Sequence, residues 1–136
     1  MSPNNTPYTQ LVAAKRFIDD NFQHRIDLDA ISQQAFLSPF HFHRLFRKVY
    51  RHTPHQYLTR KRIERAKELL AENRPVLEVC NEVGFESLGS FSSLFKREIG
   101  HAPTYFRNMA WLKRLEAKEQ PRRFFPHCFI EGYKMS

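Results

Sequence analysis

A stretch rich in cationic side chains is the part of this sequence best suited to bind a ligand. Between Asp29 and Glu64 there is no acidic residue, whereas seven lysines and arginines lie there: Arg44, Arg47, Lys48, Arg51, Arg60, Lys61 and Arg62. Four histidines are interspersed with them: His41, His43, His52 and His55. The segment carries nearly all of the net charge of +8. A field of this sign attracts polyanions, with nucleic acid first and anionic membrane second.

The sequence shows little sign of a catalytic site or a metal site. The sequence contains no paired carboxylates, nucleophile elbow or glycine-rich phosphate loop, so we predict that it is not an enzyme. His41 and His43 are two residues apart on a predicted helix and project to nearly opposite sides, so they lack metal-ligand spacing. Cys80 and Cys128 form neither a disulfide framework nor a metal quartet. We therefore expect ordinary thiols, no metal and no cofactor.

The chain also lacks the features of a membrane or secreted protein. No apolar run approaches the roughly 20 residues that span a bilayer, and the first six residues are polar, without a signal-peptide core. We expect a cytoplasmic protein with no membrane partner. With 136 residues, the chain can form one compact domain or two small linked ones.

One segment of the sequence occurs twice, 49 residues apart. The matched pairs are Phe42 and Phe91, Leu45 and Leu94, Phe46 and Phe95, His52 and His101, Pro54 and Pro103, and Tyr57 and Phe106. They fall on one helical face and on the stop and start signals that follow it. Because only structural positions need to be kept twice, this pattern predicts a duplicated supersecondary unit.

The hydrophobic periodicity and capping signals predict an all-α fold of about seven helices and no sheet. The predicted helices cover residues 8–22, 27–35, a segment capped by Ser38, 54 to about 70, 76–83, a segment capped by Ser87, and a segment that starts at Pro103. Residues 108–118 either extend this last helix or begin another. The predicted inward residues of the helix after Ser38 are Phe42, Leu45, Phe46 and Val49.

Two short helices joined by a tight turn form a helix-turn-helix, and the repeat predicts two of them joined by a long helix. We assign residues 1–52 to an amino-terminal helix-turn-helix subdomain, 53–73 to the linker helix and 74–110 to a carboxy-terminal helix-turn-helix subdomain. Residues 111–136 form a carboxy-terminal extension, of which 120–136 are expected to be an irregular tail. We expect four of its apolar side chains to pack on the body: Phe124, Phe125, Phe129 and Ile130.

The combined motifs of residues 8–108 resemble the DNA-binding domain of the AraC/XylS family of bacterial transcription regulators. The motifs are Ser38-Pro39 to Phe46-Arg47-Lys48, Pro54 to Leu58, Arg62 to Ala66, Leu69-Leu70, Val83-Gly-Phe85, Phe91, Phe95-Lys96, and Pro103 to Arg107. The resemblance implies sequence-specific binding to double-stranded DNA. The two recognition helices would enter adjacent major-groove segments of a promoter, about 34 Å apart on B-DNA.

The resemblance also implies which side chains read bases. In the first recognition helix the matching positions are Phe40, His43 and Arg44. Arginine can bond to guanine O6 and N7, histidine to a base edge, and phenylalanine can pack on a thymine methyl; a phosphate contact is the alternative for Arg44. In the second recognition helix the matching positions are Leu88, Gly89 and Ser93, which favour shape readout over a sharp base code. Alternatively, Gly89 and the serines only allow close helix approach.

Phosphate binding is expected from short polar and cationic side chains around these helices. The residues are Ser38, Arg47, Lys48, Gln56, Arg60, Lys61 and Arg62 in the first half, and Ser90, Ser92, Lys96, Thr104 and Arg107 in the second. The helices that start at Pro54 and Pro103 add free N–H groups and a positive dipole end. Plain surface solubility is the alternative for any single cation.

The family's usual glycine in the first turn is replaced here by Phe36, which leaves the register of the repeat in that turn open by one residue. We expect a bacterial, nucleoid-associated protein that binds promoter DNA as a monomer, contacts RNA polymerase, acts as an activator and has no effector pocket. A DNA-binding fragment of a larger effector-responsive regulator remains an alternative. So does a basic module for RNA or protein partners, although most of the 13 phenylalanines fall on inward helical faces.

Overall fold

The computed structural model describes residues 6–119, and these residues form seven α-helices without a strand. The helices are α1 (Pro7–Asn21), α2 (Leu28–Gln34), α3 (Pro39–Tyr50), α4 (Pro54–Ala71), α5 (Val76–Glu82), α6 (Leu88–Ile99) and α7 (Pro103–Glu119). The predicted all-α fold with about seven helices is therefore confirmed. Over the described residues, no helix is both long and apolar enough to cross a membrane.

The helices group into two compact units, and the division falls inside α4. The first unit runs to Arg62 and the second begins at Ile63. α4, the predicted linker helix, gives its first half to one unit and its second half to the other. Each unit thus contains a short helix, a recognition helix and part of a longer helix.

The core of the first unit forms from the apolar faces of α1 to α4. Its buried residues are Leu11, Ala14, Ile18, Ile31, Ala35, Phe42, Phe46 and Leu58. The rings of Phe42 and Phe46 lie 5.5 Å apart, within the range of favourable aromatic pairs. The predicted inward position of Val49 is wrong, because 38% of this residue is exposed. Tyr50 contacts the core instead, with its ring centroid 4.6 Å from that of Phe46.

The second unit repeats this packing with different residues. Its buried core consists of Ile63, Ala66, Leu69, Leu70, Val79, Cys80, Val83, Phe91, Phe95 and Phe106. The ring centroids of Phe91 and Phe95 are 5.7 Å apart, and those of Phe95 and Phe106 are 5.5 Å apart. These rings hold the positions of Phe42, Phe46 and Tyr57 in the first unit. The duplication seen in the sequence is therefore a duplication of core geometry.

Hydroxyl caps start both recognition helices and the long helix between them. Ser38 Oγ accepts a hydrogen bond from the His41 backbone N–H at 3.2 Å, and Ser87 Oγ accepts one from Ser90 at 3.1 Å. At α4 the pairing is reciprocal. The Gln56 N–H donates to Thr53 Oγ1 at 3.0 Å, and the Thr53 N–H donates to Gln56 Oε1 at 2.9 Å. These bonds satisfy N–H groups that a helix start leaves without partners.

The turn before each recognition helix contains a residue in the left-handed conformation, and the two units use different residue types there. Phe36 has φ 56° in the first unit, and Gly84 has φ 97° in the second. These two residues are 48 positions apart, as are α2 and α5, whereas α3 and α6 are 49 apart. The second unit therefore has one additional residue between its turn and its recognition helix. This resolves the open register of the repeat.

The last helix, α7, includes the segment whose assignment the sequence left open. α7 continues through residues 108–118 to Glu119, so this segment extends the helix and does not begin another. Arg114 Nη1 donates to the Ala71 carbonyl at 3.2 Å, which ties the extension to the end of α4. The predicted irregular tail lies outside the described residues, together with Phe124, Phe125, Cys128, Phe129 and Ile130.

Candidate nucleic-acid interface

The outer face of α3 presents the three predicted base-reading residues of the first unit. Phe40 is 72% exposed, Arg44 is exposed and His43 is half-buried. The guanidinium carbon of Arg44 lies 5.7 Å from the centroid of the Phe40 ring, within the range of a cation–π contact. The opposite face carries Phe42 and Phe46 in the core. Core packing thus fixes which side of α3 faces outward.

A strongly cationic cleft lies along α3. It has a volume of about 850 Å³ and is lined by His43, Arg44, Arg47, Lys48 and Arg51; we call it the basic cleft. Within residues 6–119, no carboxylate lines it. Arginine, lysine and histidine side chains in this arrangement can donate hydrogen bonds to phosphate oxygens and to base edges. The basic cleft is therefore suited to a polyanion that carries hydrogen-bond acceptors.

Arg51 also lines the basic cleft, although it is not among the binding residues predicted from the sequence. It follows the last residue of α3 and adopts a left-handed conformation, with φ 66°. Its N–H donates the last helical hydrogen bond, to the Arg47 carbonyl at 2.9 Å, and its left-handed conformation ends α3 at this point. Its place in the acid-free stretch, directly after α3, was the signal that could have assigned it.

His43 also borders a second hollow. This hollow has a volume of about 330 Å³, and its lining is Ile26, Asp27, Leu28, Ile31, His43, Pro54, His55 and Leu58. Most of these side chains are apolar. The half-buried His43 side chain thus lines both the basic cleft and this mostly apolar hollow.

The exposed side chains of α6 are shorter and less polar than those of α3. Leu88 is 44% exposed, Gly89, Ser90 and Ser93 are exposed, and Ser92 is half-buried. A Cβ added at Gly89 would meet no atom within 4 Å. The alternative that Gly89 allows close helix approach is therefore wrong for contacts within the described structure. The surface it leaves open is on the side predicted to face DNA.

The predicted phosphate contacts of the first unit fall into two groups. Arg47 and Lys48 are exposed in the basic cleft, and Ser38 is exposed at the start of α3. Gln56 and Arg60 are exposed on α4, where Gln56 completes the capping box. Arg60 Nη1 lies 3.1 Å from His52 Nε2. All five residues remain accessible to a ligand.

Lys61 and Arg62, in contrast, are half-buried and already engaged within the first unit. Lys61 Nζ lies 3.5 Å from Asp19 Oδ1. Arg62 donates from Nε to the Phe22 carbonyl at 2.6 Å and from Nη2 to the His24 carbonyl at 2.9 Å. These bonds attach α4 to the end of α1. Their phosphate contacts stay a prediction, beside this structural role.

In the second unit, Lys96 and Thr104 are exposed and Arg107 is half-buried. Near the start of α7, the Nε atom of Arg107 and the Nε2 atom of His101 are buried without a hydrogen-bond partner among the described residues. The His101 ring stacks on Tyr105 with centroids 4.6 Å apart. Throughout residues 6–119, no group of three or more His, Cys, Asp or Glu side chains could hold a metal ion.

A family profile for a helix-turn-helix domain matches residues 31–109, which extend from α2 into α7 and include both recognition helices. The HTH-type transcriptional activator AarP of Providencia stuartii is 35% identical over 92 residues, which cover 67% of this chain and 68% of AarP. The chain belongs to the AraC/XylS family. It carries the DNA-binding domain of a transcription regulator.

One further relative in sequence and one solved structure are also similar to this chain. The probable transcriptional regulator LumQ of Photobacterium leiognathi is 38% identical over 98 residues, which are 71% of this chain. The chain spans only 40% of LumQ. The DNA-binding domain of AdpA, solved in complex with a target DNA, superposes with a TM-score of 0.69 at 24% identity. That match covers 83% of this chain and 97% of the AdpA domain, and it shows the fold.

Proposed function

We propose that this chain binds specific promoter sequences in double-stranded DNA through α3 and α6, which enter adjacent major-groove segments. The observation that carries the proposal is the basic cleft, which runs beside an exposed reading face on the second helix of a helix-turn-helix. In such motifs the second helix lies in the major groove. The AdpA domain shares the fold and is described in complex with a target DNA, which supports the same mode of binding here.

Base recognition is assigned mainly to the first unit. Arg44 can donate two hydrogen bonds to guanine, His43 can bond to a base edge and Phe40 can pack on a thymine methyl. Leu88, Gly89 and Ser93 of α6 offer few hydrogen bonds. The second unit therefore contributes fit to the backbone and to the shape of the groove.

Phosphate binding is assigned to the groups around these two faces. In the first unit these are Ser38, Arg47, Lys48, Gln56 and Arg60, with Arg51 added from the basic cleft. In the second unit they are Ser90, Ser92, Lys96, Thr104 and Arg107. Lys61 and Arg62 contribute charge near the phosphates while they hold α4 against α1. Such contacts fix orientation and register but carry no sequence information.

The regulatory part of the proposal rests on the relatives. LumQ is described as a probable transcriptional regulator and AarP as a transcriptional activator. We assign the same kind of activity to this chain, as a monomer on DNA in the bacterial cytoplasm and nucleoid, with contacts to RNA polymerase. Because the chain spans less than half of LumQ, the same unit also suits the DNA-binding part of a larger regulator.

Selection from a random duplex library with the purified chain tests the proposal. The expected result, at a stated salt concentration, is an asymmetric consensus with its sharpest positions in one half-site. The selected duplex should compete for the protein better than random duplex or an RNA hairpin of equal length. The absence of any enriched sequence, or equal competition by RNA, would contradict the proposal and favour a basic RNA- or protein-binding module.

A further inference from the structure

Phe40 and Arg44 lie four residues apart on the outer face of α3, and their side chains contact each other. The guanidinium carbon is 5.7 Å from the ring centroid. Residues at this spacing are neighbours on a helix surface. Across the described chain, Arg44 has no carboxylate within ion-pairing distance. Among the described residues, the Phe40 ring is thus the contact that the structure gives for the Arg44 guanidinium.

The exposure of Phe40 is not explained by the fold. With 72% of the residue exposed, the ring buries little apolar area and adds little to the stability of the first unit. A large apolar ring beside a cationic cleft is suited to a partner that has both anionic groups and small apolar groups. In the major groove of DNA the small apolar group is the C5-methyl of thymine.

The second unit lacks both members of this pair. The residues at the matching positions, 49 further along the chain, are Gly89 and Ser93. Neither residue has a ring or a charged group for a cation–π contact, and the space above Gly89 is open. Any property that depends on the pair is therefore confined to one of the two half-sites.

We propose that Phe40 and Arg44 read one dinucleotide step together. Arg44 bonds to a guanine while the Phe40 ring, which holds the guanidinium in place, packs on the methyl group of the thymine at the neighbouring base pair. The inference rests on the proposed function, because it assumes that α3 lies in a major groove. Phe40 is then a positioning residue for Arg44 as well as a direct contact to the methyl group.

If Phe40 both positions Arg44 and contacts the thymine methyl, two measurable properties of DNA binding depend on the Phe40 ring. Loss of the ring should weaken discrimination at the guanine by about two- to fivefold, as expected for an exposed cation–π contact. Removal of the thymine methyl, by exchange of thymine for deoxyuridine, should weaken binding by about three- to fourfold, as expected for one buried methyl. The second effect should disappear in Phe40→Ala.

The experiment uses the full chain and the duplex selected by it. Replacement of each guanine in turn identifies the one at which wild-type protein discriminates and Arg44→Ala does not. Thymines that flank it are then exchanged for deoxyuridine. Affinities are measured for wild type, Phe40→Ala, Phe40→Leu and Phe40→Tyr, with Leu77→Ala, which truncates an exposed apolar side chain of α5, as the matched control.

We expect Leu77→Ala to behave as wild type, and Phe40→Tyr to keep the discrimination at the guanine because tyrosine retains a π face. Phe40→Leu should keep part of the methyl effect but lose the gain at guanine, because leucine is apolar without a π face. If Phe40→Ala and Phe40→Leu discriminate at the guanine as well as wild type does, the inference is overturned. The same holds if deoxyuridine has no effect in wild type. If wild type selects no sequence at all, the proposed function fails instead.

Discussion

Arg44 and Lys48 line the same basic cleft on successive turns of α3, yet their side chains suit different tasks. Guanidinium has a planar set of donors that matches guanine O6 and N7, whereas the ammonium group of lysine is a compact point charge. We therefore expect Arg44 to affect which sequence is bound and Lys48 to affect how tightly any sequence is bound. This separation can be tested by substitution.

Arg44→Ala should weaken binding to the selected duplex by about 1–3 kcal/mol and remove the preference at one base pair. Lys48→Ala should weaken selected and random duplexes alike and reduce the salt slope by about 1. Lys48 is a better probe than Lys61, because Lys61 already pairs with Asp19. Titrations at several salt concentrations measure both effects. Equal losses on both duplexes for Arg44→Ala would show that it only contacts phosphate.

Phe36 occupies a left-handed conformation that the second unit assigns to Gly84. It is also 82% exposed, so its ring adds little to the core. The left-handed region costs roughly 1–2 kcal/mol for a residue with a Cβ. Part of that cost is recovered from the smaller backbone entropy of the unfolded chain.

Phe36→Gly should therefore raise the free energy of unfolding by about 0.5–1 kcal/mol. Phe36→Ala keeps the Cβ and should leave it nearly unchanged, which separates backbone strain from loss of the ring. Gly84→Ala in the second unit should lower it by about 1 kcal/mol or more. Urea titrations of the three variants measure these differences. A stability loss in Phe36→Gly would mean that the ring makes contacts that outweigh the strain.

At the scale of elements, the helix starts were predictable because they depend on local chemistry. Ser38, Thr53 and Ser87 act as caps wherever they precede a helical pattern, and all three do so here. The left-handed turns and the contacts of the Lys61 and Arg62 side chains were not predictable in the same way. The partners of these two side chains, the Phe22 and His24 carbonyls among them, are about 40 residues away in sequence, and only tertiary packing brings them close.

Gly89 on α6 offers a test of how close this helix comes to DNA. Alanine at this position meets no protein atom within 4 Å and is the better helix former, so Gly89→Ala should stabilise the second unit by up to about 1 kcal/mol. If α6 enters the groove, larger side chains such as Gly89→Leu should weaken DNA binding while the fold stays stable. Thermal unfolding and affinity are compared. Unchanged affinity in Gly89→Leu would contradict a close approach.

The buried thiol of Cys80 on α5 makes the stability of the second unit depend on pH. Burial raises the pKa of its thiol above the ordinary value of about 9. The folded state then keeps its proton to higher pH than the unfolded state does. The resulting stability is present below about pH 9 and is lost as the pH rises through the folded pKa. Wild type should lose stability more steeply than Cys80→Ala as the pH rises above about 9, as measured by denaturant titration; parallel curves would contradict this.

At the scale of the whole molecule, the two units share a core pattern but differ in charge. α3 has three cations and no acid, whereas in α6 the cation Arg97 lies 3.6 Å from Glu98. The duplication could be predicted from the sequence, because buried rings and caps repeat. Charge differences were also visible there. The charge of Arg51 was visible too, but the shape of the basic cleft was not, because it depends on the left-handed conformation that ends α3 at Arg51.

The central claim is that two unequal helix-turn-helix units bind one stretch of duplex DNA. Hydroxyl-radical footprinting combined with base-by-base substitution of the selected duplex tests it most directly. We predict two protected segments on one face of the duplex, one helical turn or about 10 base pairs apart. Sharp base preference should occur in only one of them. A single protected segment, or protection that is the same on random DNA, would contradict the account.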